Sequence, residues 1–147
     1  MSAPAGRKKN WERLLGEEFQ RTQTMSFVWG ENDCCLFALR VIDSIVGSEI
    51  QSIFYHKYKT KRGAIRRIVQ YGKTLEGAAN RIAQEFGGEE IPPGFAQRGD
   101  CVMAEVTDTE GELAPALGIC YGIGAYFVSQ TGLISIPRKA FLKAWRV

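Results

Sequence analysis

Histidine is almost missing from this chain of 147 residues: His56 stands alone. One imidazole cannot build a histidine-rich metal site, and Cys34, Cys35, Cys101 and Cys120 include no C-x-x-C pair. The ordinary zinc ligand sets are therefore excluded, and neither a metal nor a cofactor is expected. A chain of this length buries a core without disulfide staples, so the four thiols are read as reduced. No run approaches the roughly 18 apolar residues of a membrane span. The N-terminus, Met1-Ser2-Ala3-Pro4-Ala5-Gly6-Arg7-Lys8-Lys9, is basic but has no apolar stretch of the signal-peptide kind, which implies synthesis in the cytoplasm. Charge is not in large excess either. A formal net charge of +3 is too small to demand a polyanionic partner. There is no internal repeat and no low-complexity segment.

What remains reads as one domain, 10–147, behind a flexible tail, 1–9. Asn10 can cap a helix whose Trp11, Leu14, Leu15 and Phe19 recur at helical spacing. A second helix is predicted from Asp33 as N-cap to Gly47, apolar nearly all round and therefore central. Thr60 and Gly72 bracket a third, with Ile65, Ile68 and Val69 on one face. Thr74 and Gly87-Gly88 bound a fourth. After Pro92 the period shortens. Cys101 to Val106, Ala116 to Tyr121, Ala125 to Ser129 and Leu133 to Ile136 read as an antiparallel meander. Pro137 then suits the first turn of a closing helix with Phe141, Leu142 and Trp145. Helices followed by a small antiparallel sheet make the fold class α+β.

The stretch Phe27 to Ala38 ends a loop and opens the second helix with Cys34 in its first turn. Backbone N–H groups and the positive end of the helix dipole favour an anion there, so Cys34 is the candidate nucleophile. It is equally a small residue on an apolar helix, and free cysteine is among the most buried residue types. Asp33 can line a cleft or simply cap the helix. Trp29 can line the same cleft or pack the helix start. Cys101 and Cys120 fall on strands and read as core. Arg98-Gly99-Asp100 reads as a turn entering a strand.

The order of motifs resembles the NlpC-type cell-wall peptidases of bacteria and their phages, which are papain-like cysteine hydrolases. Their pattern is aromatic-x-W/Y-G, D-C opening a helix, G-D before a strand, then H-x-G-I-Y-x-G. The matching residues are Phe27, Trp29, Gly30, Asp33 and Cys34, then Gly99 and Asp100, then Gly118, Ile119 and Gly122. The combination F-x-W-G-x-x-D-C, R-G-D, L-G-x-C-x-G and A-W-R-V is similar, more closely, to a group of phage and prophage tail-region proteins of unassigned function. The resemblance implies a papain-like fold, with Ala116 where the catalytic histidine belongs and Gln130 nearest the position of its orienting partner. Without the imidazole neither thiolate formation nor protonation of the leaving amine is provided for, and general acid–base work alone is worth about 10²–10⁴-fold. Any replacement base would be His56, brought in from a different element.

The last feature is a basic segment. Lys57, Lys59, Lys61, Arg62, Arg66 and Arg67 lie between Tyr55 and Tyr71 with no carboxylate among residues 55 to 71. Interleaved with tyrosines they could track a phosphate backbone, or simply form a solvated helix face. The resemblance implies a tail or baseplate component, or a tail-assembly protein, in the phage virion. Its partners would be other tail proteins, met through the basic segment, the N-terminal tail and the terminal Trp145-Arg146-Val147, since tryptophan and arginine are favoured interface anchors. The alternatives are a cysteine peptidase or amidase acting on peptidoglycan through Cys34, and a nucleic-acid-binding module using Lys57 to Arg67.

Overall fold

The computed structural model describes residues 6–147. Within them the chain forms four α-helices followed by a six-stranded antiparallel sheet, so the α+β expectation holds. Helix α1 (Trp11–Thr22) buries Trp11 and Leu15 against α2 (Leu36–Val46). Leu36, Phe37, Leu39, Val41, Ile42 and Ile45 of α2 are all buried, as its all-round apolar character requires. Asp33 does cap α2, but from further out than expected. Its Oδ1 accepts the N–H groups of Cys35 and Leu36, each at 3.0 Å, and the first helical residue is Leu36. Thr60 and Thr74 cap α3 (Lys61–Gly72) and α4 (Leu75–Phe86), their hydroxyls accepting from Gly63 N at 3.0 Å and Gly77 N at 2.9 Å.

The predicted meander is β2 (Cys101–Thr107), β3 (Leu113–Cys120), β4 (Gly124–Ser129) and β5 (Gly132–Pro137). Two further strands were not predicted. β1 (Glu89–Ile91) is short, and β6 (Lys143–Arg146) takes the place of the expected closing helix. Spatial order is β1-β6-β2-β3-β4-β5, so β6 slots between β1 and β2. Alternation explains why this segment is a strand. Trp145 joins the large core under the helices, whereas Ala144 joins the smaller core on the opposite face, and only an extended backbone sends neighbours to opposite faces.

The same alternation runs through β2. Cys101 and Met103 face the helices, while Val102, Ala104 and Val106 face the smaller core. β3 and β4 pair only at Ile119↔Tyr126 and Cys120↔Ala125 and then part. Gly118 stands at the fork, where a Cβ would lie 2.4 Å from Tyr126 O and 2.8 Å from the Phe127 ring. That close approach is why this motif position is glycine.

The tail boundary moves. Residues 1–5 of the expected tail lie outside the described residues, but Arg7 is buried and bound to the domain. Its Nη2 donates to Asp100 Oδ1 at 2.8 Å, its Nε to Val147 O at 2.9 Å and its Nη1 to Arg98 O at 2.8 Å. Asp100, fully buried, also accepts from Gln97 N, Arg146 Nε and Val147 N. Arg98-Gly99-Asp100 is the turn into β2 that the sequence suggested, with its aspartate turned inward.

Candidate functional site

Cys34 lies where the start of α2 meets β3. Its carbonyl is free of the helix ladder and accepts from Leu117 N–H at 3.0 Å. This bond seats Cys34 beside Ala116 in the fork between β3 and β4. The side chain is half-buried and borders two cavities. The smaller, about 30 Å³, is lined by Phe27, Trp29, Ala116, Val128 and Gln130 among others. The larger, about 280 Å³, runs between α3 and the β2–β3 hairpin and is walled by Trp29, Ala64, Ile65, Ile68, Val69 and Pro115.

Trp29, Ala116 and Gln130 therefore gather around Cys34. Asp33 does not face them. It is fully buried and accepts from Gly30 N at 2.9 Å and the Tyr58 hydroxyl at 2.7 Å, besides the two α2 amides. Burial first, then the charge of Asp33, pushes the Tyr58 phenol well above its ordinary value, so it stays a donor. The consequence for Cys34 is chemical. The amides at the α2 terminus that could face a thiolate already face a carboxylate.

His56 is elsewhere. It is exposed at φ 59°, stacks on Tyr55 with ring centroids 3.9 Å apart, and meets Glu31 Oε1 at 3.0 Å through Nε2. It borders neither cavity, and among the described residues no imidazole reaches Cys34. Lys61 does border the larger cavity, but its Nζ is held by Asp108 at 2.7 Å and Glu110 at 2.9 Å. Those bonds raise the Lys61 ammonium above its ordinary value, the wrong direction for a base, and hold the Asp108 carboxyl at about 2. Cys35 is buried, its thiol pushed well up chiefly by its hydrogen bond with Cys34 and then by burial. Burial likewise pushes Cys101 up to about 12. Both shifts disfavour the thiolate that a nucleophile needs.

The predicted contact residues divide. Arg67 donates to Ile53 O at 2.9 Å, and Trp145 is 1% exposed with Nε1 on Asn80 Oδ1 at 2.8 Å. Arg146 is engaged by Asp100 at 3.1 Å and by Phe95 O at 2.9 Å. Trp145 is thus core and no surface anchor. Lys57, Lys59, Arg62 and Arg66 have no carboxylate in ion-pair range among the described residues. Tyr58 and Tyr71 turn inward, Tyr71 lying 5.6 Å from the Phe54 ring, so the stacking platform a nucleic acid needs is reduced to Tyr55. The aliphatic wall on α3 was legible as a helix stripe but not as the side of a groove.

Residues 6–147 match a family model described as a domain of unknown function, DUF6950. A search of the curated proteins finds no match to the chain.

Proposed function

The chain belongs to the DUF6950 family of domains of unknown function, and we propose that it is a phage or prophage tail component, or a tail-assembly protein. It acts by docking, on a papain-like, NlpC-type arrangement that does not hydrolyse. The observation that supports the non-hydrolytic part is the neighbourhood of Cys34. Ala116 stands across from it, Asp33 occupies the helix amides, and His56 is turned away. The tail part rests on the motif order F-x-W-G-x-x-D-C, R-G-D, L-G-x-C-x-G and A-W-R-V, and the partners are accordingly other tail or baseplate proteins in the virion.

Two measurements test this reading. Purified protein incubated with purified cell wall should release no peptide, and Cys34→Ala should leave particle assembly intact. A tail defect from Cys34→Ala in a stably folded protein would sink it. The peptidase reading keeps one observation in its favour, the half-buried Cys34 at the mouth of two cavities with Trp29 and Gln130 beside it. Wall degradation that disappears with Cys34→Ala would establish that reading instead.

A further inference from the structure

Seven of the nineteen lysines and arginines fall between residues 55 and 73, and none of the aspartates and glutamates does, so the rest of the chain is net negative. The fold sorts these seven. Lys61 and Arg67 are engaged, whereas Lys57, Lys59, Arg62, Arg66 and Lys73 have no carboxylate in ion-pair range among the described residues. Arg62 and Arg66 are four apart on α3 and Lys73 follows its end, so they form a cationic rim along one side of the helix.

Inside that rim lie Ile65 and Val69, also four apart, and they are 52% and 53% exposed. Beneath them is the larger cavity, about 280 Å³, floored by Ala64, Ile68 and Leu75 and closed on the far side by Trp29 and Pro115. The far wall is fixed. Lys61 reaches across the groove to Asp108 and Glu110 in the β2–β3 loop and offsets only one of their two negative charges, so that side stays net negative and the unanswered positive charge lies on α3. What stays uncompensated is aliphatic surface with depth, bordered by positive charge on the α3 side alone.

We propose that this groove docks an acidic segment of a partner protein. An aliphatic side chain of the segment enters between Val69 and Pro115, and its carboxylates lie over Arg62, Arg66 and Lys73. Charge complementarity selects the occupant, since a basic or neutral segment leaves the rim unanswered. A nucleic acid would answer the cations yet bury Ile65 and Val69 against phosphates. A bilayer presents a plane and cannot enter a slot walled on both sides. The inference names the contact surface of the docking reading and rests on it.

The test is complementation of a deletion of the gene in its own host, scored by infectious particles, with each variant first shown to melt like the parent. Ile65→Asp and Arg66→Glu are expected to lower the particle yield at least about tenfold, the scale of losing one interface hot spot. Ile123→Asp, altering a still more exposed apolar residue on the β3–β4 turn, should complement fully. No defect on deletion overturns the tail reading and this inference with it. A defective deletion that Ile65→Asp and Arg66→Glu both rescue overturns the groove alone. Equal failure of Ile123→Asp also overturns it, because the effect is then not local. Sedimentation of the purified protein with phosphatidylserine vesicles, abolished by Ile65→Asp, would reassign the surface to lipid.

Discussion

Ala116 and Cys34 share a cavity because the Leu117 amide holds the Cys34 carbonyl, and this contact makes the vacant catalytic position testable. Ala116→His should place an imidazole beside the thiol and shift the pH profile of Cys34 alkylation toward lower pH, since an imidazolium stabilises the thiolate. Overpacking a residue that is 1% exposed should cost about 1–3 kcal/mol, which a denaturant melt will show. An unchanged profile in a folded variant would remove the papain-like comparison. Asp108 offers a second check. Its carboxyl is held at about 2 by Lys61 and by backbone N–H groups, below its ordinary 3.8. Stability from this bridge is therefore complete above the ordinary value and is lost as pH falls through about 2. Acid titration of the parent and Asp108→Asn should give curves that differ at neutral pH and converge near pH 2; a gap that persists at pH 2 contradicts the assignment. At this scale the sequence was informative about which residues matter and less so about where they point. Asp33 was legible as a cap because its type and place suit one. That its carboxylate would also collect the Tyr58 hydroxyl, from a segment beyond α2, depends on a chain crossing with no local signal.

Elements with their own periodicity were legible, and those made by distant partners were not. The four helices carry aliphatic stripes, and threonine caps mark α3 and α4. The strands β2 to β5 follow one another, so short-range turn chemistry announces them. β6 has four residues and draws its ladder from β1 and β2, both more than thirty residues away. Phe141 and Trp145 are four apart, a helical interval, and the competing alternation of Ala144 and Trp145 is visible only once both faces of the sheet are known to be covered. β1, with two exposed glutamates in three residues, offers no apolar pattern at all. The strand assignment predicts that Trp145→Ala costs about 3–5 kcal/mol, from the lost ring contacts and the orphaned Asn80 amide. A denaturation midpoint close to the parent's would mean that Trp145 is not core.

At the scale of the whole molecule, the sequence conveyed the α+β class through the order of its elements, while the joining of its two ends depended on one buried carboxylate. Asp100 receives Arg7 from before α1, Arg146 from the end of β6 and the Val147 amide just after it. From sequence Arg7 reads as tail, because a basic run near a terminus has no periodicity to read. Arg7→Ala would leave that carboxylate short of its most buried partner and should cost about 3–5 kcal/mol, measured by urea unfolding. A loss below about 1 kcal/mol, the range of a surface pair, would place Arg7 back in solvent.

The position of β6 has a consequence during synthesis. β1 and β2 leave the ribosome well before residues 143–146, yet they do not pair with each other, because the strand that joins them is made last. A nascent chain that has reached β5 therefore holds an empty slot with two unpaired strand edges, each a template for a strand from another chain. A ribosome that stops short of Lys143 releases an aggregation seed, and a translation product truncated there should partition into the pellet while the full chain stays in solution.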